Sequence, residues 1–138
     1  MADADVAADV QTFLREHIES YEQLEILLLL RAQPDRSWAP AAAASELGIS
    51  EGLAEGALRF LCRERLLGVD AGGVVRFKYA PETPALVELV ARLAAAYVDS
   101  RLAVMRLMTA NAIERLRVGA VTRFADAFLL RRKRNQDG

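Results

Sequence analysis

Two short stretches hold the side chains with the most chemistry to offer. In "SEGLAEGALRFLCRERLLG", Ser50, Glu51, Glu55, Arg59 and Arg63 return at about one helical turn, and in "VVRFKYAP" Arg76 and Lys78 alternate with apolar residues. Hydroxyl, guanidinium and ammonium groups so spaced can donate to the oxygens of a polyanion, phosphate above all. Glu51 and Glu55 act against that, because carboxylates repel phosphates. Glu55 contributes only if it accepts from an amine such as that of cytosine.

Other chemistry is poorly supplied. His17 is the single histidine, in an acidic amphipathic stretch far along the chain from Cys62, the single cysteine. A catalytic Cys-His pair needs a third, orienting group and a cleft, so His17 reads as a surface or interface residue. One histidine and one cysteine cannot build a structural zinc site. The glycines of "DAGGVV" lack the Lys-Ser/Thr ending of a phosphate loop. Cys62, among apolar neighbours, reads as packed rather than reactive, although Arg63 and Arg65 would favour its thiolate if it were exposed. The expectation is therefore a protein that is not an enzyme, with no metal and no cofactor.

These residues are positioned by a run of short elements. Val6, Val10, Phe13, Leu14 and Ile18 recur at helical spacing, predicting an amphipathic helix over residues 3–19. Ser20 with Gln23 is a capping-box signature ahead of "LEILLLLRAQ", a helix that should be nearly all buried and that ends at "PDRS". "SWAP" is short and extended, with Trp38 packing it against the hairpin that begins near Leu66. Pro40 suits the first turn of "PAAAASELG" and Gly48 its exit.

After that tight connection Ser50 can cap the next helix, with Leu53, Ala57, Phe60 and Leu61 facing inward. Gly52 and Gly56 weaken this helix by roughly 1 kcal/mol each relative to Ala, which predicts a close backbone approach at that place. From Leu66 the period changes to two around the turn "DAGG", so Val75, Phe77 and Tyr79 share one face of the hairpin and Arg76 and Lys78 the other. Thr83 and Pro84 begin a helix to Met108, about 37 Å long at the standard rise. "TANA" and "VGA" are weak points beyond it, with Gly119 the expected break. Val121, Phe124, Ala125, Phe128 and Leu129 form a last amphipathic set before "RRKRNQDG".

With 138 residues the chain suits one domain, or a small domain with a long helical appendage. The net charge of -1 conceals an asymmetry: eleven acids against three arginines up to Leu58, and eight acids against fifteen Lys or Arg from Arg59 onward. An acidic front and a basic back suit attraction between copies, or one basic face turned to a polyanion. The longest strongly apolar run, "ILLLL", is far short of the roughly 20 residues that cross a bilayer. "MADADVAADV" is unlike a secretory signal, and one cysteine suits a reducing compartment, so the expected location is cytoplasmic.

The order of helix, short strand, helix, tight turn, helix and hairpin in "RSWAPAAAASELGISEGLAEGALRFLCRERLLGVDAGGVVRFKYAP" resembles the winged helix-turn-helix superfamily, from about Tyr21 to Pro81. The implied fold class is mainly α with a small β-hairpin wing, flanked by an N-terminal helix and long C-terminal helices. The flanking helices resemble those of MarR-type regulators, where they form the dimer interface. "DAGGVVRFKYAPET" departs from the wing of those regulators, which carries an Asp, an Arg two positions on, and a Leu-Thr pair. The chain is also similar to small bacterial winged-helix proteins with "YAP" after the wing.

This resemblance implies a DNA-binding transcriptional regulator whose partner is double-stranded DNA and which acts as a homodimer. The implied contacts are Ser50, Glu55, Arg59 and Arg63 on the helix after the turn and Arg76 and Lys78 on the wing. The implied organisation is an N-terminal helix at 1–20, the winged module at 21–81 and a helical dimerisation region with a basic tail at 82–138. The interface candidates are Leu86, Val90, Leu93, Tyr97 and Met105, a stripe too apolar to stay in water. The competing arrangement has the first helix folded back over that stripe within one chain. The competing function is a winged-helix module that binds a protein partner and not DNA, favoured by Glu51, Glu55 and the near-zero net charge. The basic tail from Arg131 to Arg134 suits the carboxyl end of a helix dipole, or else a polyanion, membrane or partner contact. No residue pattern identifies a small-molecule effector.

Overall fold

Hydroxyl side chains set the starts of three helices. Ser20 Oγ accepts from the Gln23 amide at 3.2 Å, Ser50 Oγ from Leu53 at 3.1 Å and Thr83 Oγ1 from Leu86 at 3.1 Å, each satisfying an amide that a first helical turn leaves open. Gln23 Oε1 reaches back to the amide of Glu19 at 2.7 Å, so the capping box closes one residue earlier than its usual form. The computed structural model describes the backbone of residues 6–70 and 72–137, with side chains described up to residue 129. Its elements are α1 (Ala8–His17), α2 (Tyr21–Ala32), α3 (Pro40–Leu47), α4 (Glu51–Arg63), β1 (Leu67–Asp70), β2 (Arg76–Tyr79), α5 (Pro84–Asp99) and α6 (Arg101–Asp137). The part of the predicted first helix before Val6 lies outside the described residues.

The module from α2 to β2 is built around α2, whose Leu24, Ile26, Leu27 and Leu30 are fully buried. Pro40 opens α3 and Gly48 ends it at φ 68°, a left-handed conformation that a side chain with Cβ rarely adopts. That turn throws α4 across α2 and α3. The inward stripe of α4 is Ala54, Ala57, Leu58 and Leu61, which differs from the predicted one. Leu53 is 55% exposed and Phe60 only half-buried, because the helix is rotated by about one residue to set the small Ala54 and the larger Leu58 into the core. Nor do Gly52 and Gly56 meet a neighbouring backbone. A Cβ added at either would find nothing within 4 Å, so both glycines face open space.

The β1–β2 hairpin is antiparallel, with Leu67 opposite Tyr79, Gly68 opposite Lys78, Val69 opposite Phe77 and Asp70 opposite Arg76. Trp38 adds a third, one-residue strand. Its amide donates to the Phe77 carbonyl at 2.7 Å and its carbonyl accepts from the Phe77 amide at 2.8 Å, with both rings buried. Asp70 Oδ1 accepts from the Gly72 amide at 3.3 Å, and Gly73 takes φ 90° in the turn.

The trailing segment is not the single helix predicted from Pro84 to Met108. Ser100 breaks it at φ -139° and ψ 47°, and α6 then runs on through Asn111 and Gly119 without interruption. The physical reason is α1. Val6, Val10, Phe13 and Leu14 share one core with Val90 and Leu93 of α5 and Ala103, Val104 and Met108 of α6, and a bend lets both trailing helices pack on the same short helix. Arg92 pairs with Asp9 to fasten α5 to α1. A chain of hydrogen bonds spans the bend: Arg101 Nη2 donates to Tyr21 Oη, the Tyr21 hydroxyl meets that of Tyr97, and Tyr97 donates to Glu25 Oε1, each at 2.9 Å. Gly119 lies on α6 with nothing within 4 Å of an added Cβ and no proline beside it, so its intrinsic cost of about 1 kcal/mol has no competing structure to favour.

Candidate nucleic-acid interface

The outer ridge of α4 carries Glu51, Gly52, Glu55, Gly56, Arg59 and Arg63. Ser50 sits at its start with its oxygen accepting the cap bond, and its hydroxyl hydrogen is left for an outside acceptor. Glu55 and Arg59 have found each other: Arg59 Nε and Nη2 both donate to Glu55 Oε1, at 3.1 and 3.0 Å. Arg63 lies exposed with its guanidinium 5.9 Å from the centre of the Phe60 ring. Between these cations Cys62 is half-buried. Burial raises its thiol pKa, opposed by the charges of Arg59 and Arg63, so the reactive thiolate is suppressed.

The wing presents a different electrostatic picture. The alternation of β2 buries Phe77 and half-buries Tyr79 while exposing Arg76 and Lys78 on the other face. Among the described residues neither cation has an ion-pair partner. Sequence reading passed over a further exposed cation of the module. Arg36 stacks over the Trp38 ring, its guanidinium carbon 3.5 Å from the ring centre, on the segment that pairs with β2. The signal was a cation two residues before the only tryptophan, but the strand pairing that fixes that tryptophan is not a local feature. Arg31 approaches the Tyr79 hydroxyl from α2. Burial raises the pKa of that hydroxyl and the arginine opposes the rise.

Several cations elsewhere in the described residues are paired with carboxylates. Arg65, at φ 65° between α4 and β1, pairs with Glu82 at 3.5 Å, Arg92 with Asp9, and Arg101 approaches Glu25 at 4.0 Å. His17 Nδ1 lies 2.9 Å from Glu64 Oε1 and clips α1 to the C-cap of α4. Its role in the described chain is this structural contact.

The expected interface stripe is divided by the fold. Val90 and Leu93 are fully buried inside one chain under α1, which corrects their assignment as surface offered to a second copy. Leu86 and Tyr97 are half-buried and Met105 is exposed. The apolar surface that stays open lies farther along: Leu102, Met105, Ile113, Leu116 and Phe124 fall on one stripe of α6 and all are exposed. The side chains of the basic tail from Arg131 to Arg134 lie outside the described residues. Between α2, α3 and α5 there is an open cavity of about 350 Å³ lined by Leu28, Leu29, Leu47, Ala94 and Val98, with Glu25 and Tyr97 at its polar part. No helix among the described residues is long and apolar enough to cross a membrane.

No protein-family profile and no curated protein matches the sequence. Solved structures do match the fold. A MepR mutant of S. aureus bound to an oligodeoxyribonucleotide aligns with 86% of this chain and 87% of its own at 14% identity and a TM-score of 0.52. A second S. aureus structure, a MepR-DNA complex, aligns with 78% of this chain and 86% of its own at 18% identity and a TM-score of 0.52. The adhesin competence repressor AdcR of Streptococcus pyogenes aligns over 82% of both chains at 18% identity and a TM-score of 0.50. The architecture is thus a winged helix-turn-helix with one leading and two trailing helices.

Proposed function

We propose that this chain is a DNA-binding transcriptional regulator of winged-helix type, acting as a cytoplasmic homodimer. The observation that carries this reading is the open cationic edge of the wing. Arg76 and Lys78 remain exposed and unpaired among the described residues while other cations of the module face carboxylates or rings. Unpaired cations on a protruding hairpin are placed to neutralise phosphates beside a groove occupied by α4. The two S. aureus neighbours that hold DNA on the same fold support the reading.

In this reading residues 21–81 meet the duplex through Arg76 and Lys78, with Ser50, Glu55, Arg59 and Arg63 toward the groove. Residues 1–20 and 82–138 serve association. Arg59, Arg76 and Lys78 are few cations for a monomer, and a second copy doubles them. The α6 stripe, which includes Met105, is the surface for that pairing, with the half-buried Leu86 and Tyr97 of α5 as further candidates. A second reading, a protein-binding module, is favoured by the Glu55–Arg59 pair, which neutralises the middle of the α4 ridge.

Fluorescence anisotropy of the full chain with labelled genomic fragments over a range of salt separates the two. Binding that weakens with salt, with a shallower dependence for the Arg76→Ala/Lys78→Ala double variant, is the expected result. An absence of binding even at low salt refutes the regulator and leaves the protein-binding module.

A further inference from the structure

The Glu55–Arg59 pair joins two residues one helical turn apart, and its atomic arrangement is more specific than charge neutralisation. An arginine side chain has five N–H donors on three edges of a flat group. Here the edge formed by Nε and Nη2 is turned wholly onto a single carboxylate oxygen, Oε1 of Glu55. The opposite edge, with both hydrogens of Nη1 and the second hydrogen of Nη2, stays free, and the side chain is more than half exposed. Two parallel N–H groups on a fixed plane match the O6 and N7 acceptors of guanine in the major groove.

The surroundings of the pair favour that use. Gly52, Gly56 and Arg59 follow one another along the same stripe of α4, and a Cβ at either glycine would touch nothing within 4 Å. The strip from Gly52 to Gly56 leading to Arg59 thus lacks side chains between the flanking glutamates, so a base pair can approach the helix axis there while a long side chain extends past it to the next step. The other cation of the ridge, Arg63, has no carboxylate among the described residues to fix its plane and lies over Phe60. We propose that Arg59 is a specificity-determining residue that reads a guanine through its free Nη1/Nη2 edge, with Glu55 as the positioning residue that holds the guanidinium plane. This rests on the DNA-binding reading above.

Glu55 then has two effects of opposite sign. It repels phosphates, which lowers affinity for any duplex, and it restricts the arginine to one orientation, which raises selectivity among duplexes. The wing supplies affinity and the pair supplies choice.

The test starts with selection from a pool of duplexes with a randomised core, using the full-length protein. Each guanine of the selected duplex is next replaced singly by 7-deazaguanine, which lacks the N7 acceptor, and affinity is read by anisotropy at fixed salt. The expected result for the wild-type protein is a loss on the order of 10- to 100-fold at one guanine in each half-site. Arg59→Met keeps an unbranched stem but has no donor, and should bind the normal and substituted duplexes about equally. Glu55→Gln should bind unselected duplex more tightly while its discrimination at that guanine shrinks, an outcome that a purely structural helix pair would not give. Selected duplexes without a sensitive guanine, or Arg59→Met with its sensitivity intact, overturn the inference and leave the DNA-binding reading standing. If the wild-type protein retains no duplex at low salt, the DNA-binding reading itself fails and this inference falls with it. The base substitutions act on the unaltered protein, so the sensitive guanine is found without relying on the folding of any variant.

Discussion

Replacing Leu116 and Phe124 on α6 by glutamine should abolish self-association without disturbing the folded chain. The two side chains are 70% and 75% exposed, so nearly all of their apolar surface is still available to be covered. Fully burying a Leu or Phe side chain is worth about 1.5–3 kcal/mol, which leaves about 1–2 kcal/mol for each when a second copy covers it. A symmetric pair buries four such side chains, so the double variant forfeits about 4–8 kcal/mol, a rise in the dimer dissociation constant of about a thousandfold or more. Glutamine keeps helix propensity close to that of leucine, and neither side chain touches the core that ends at Met108. Sedimentation velocity from about 1 to 100 μM reads the result. The wild-type chain should move at about twice the 15.2 kDa chain mass and the variant as a single chain, both with the same melting temperature. A wild-type protein that stays monomeric over this range refutes the argument, as does a variant that dimerises as tightly as the wild type.

The remaining expectations concern the wing, the core, a glycine and a thiol. Each neutralised phosphate adds about 0.9 to the slope of log affinity against log salt, so removing Arg76 and Lys78 from both copies of a dimer should lower that slope by up to about 3–4 in the anisotropy titration. Leu58→Ala deletes a fully buried side chain of α4 and should destabilise the protein by about 2–5 kcal/mol in urea unfolding, whereas Leu53→Ala, one turn away but exposed, should change stability by less than about 1 kcal/mol. Gly56→Ala meets open space in a helix interior and should stabilise by roughly 0.5–1 kcal/mol, while the added methyl on the α4 ridge should weaken duplex binding. Burial raises the Cys62 thiol pKa, so at about pH 8 its alkylation should be slower in the folded chain than in the urea-unfolded one, with the gap narrowing as pH rises and the folded thiol ionises.

Local features of the sequence carried most of the module. Ser20, Ser50 and Thr83 cap the helices they precede, Pro40 and Gly48 bracket α3, and the alternation of Val75, Phe77 and Tyr79 against Arg76 and Lys78 defines both faces of the wing. Each depends on residues within one turn of one another. The facing of α4 was less legible, because Leu53 and Leu58 are equally apolar and only the shape of the α2–α3 surface selects which of them turns inward. The Arg59 pairing is written in the sequence as Glu55 four residues earlier, but the free edge of the guanidinium is a matter of geometry alone.

By itself the chain of residues determined the order of elements, the turns and caps between them, and the two-sided character of the hairpin, since these follow from backbone preferences and hydrogen bonds over a few positions. Only the tertiary structure decided which apolar residues α1 would cover, that Ser100 and not Gly119 would break the trailing helix, and that Arg36 would stack over Trp38. Those outcomes depend on contacts between segments up to about a hundred residues apart. Burial by a distant segment depends on the shape left open by all the others, and no local pattern records that shape.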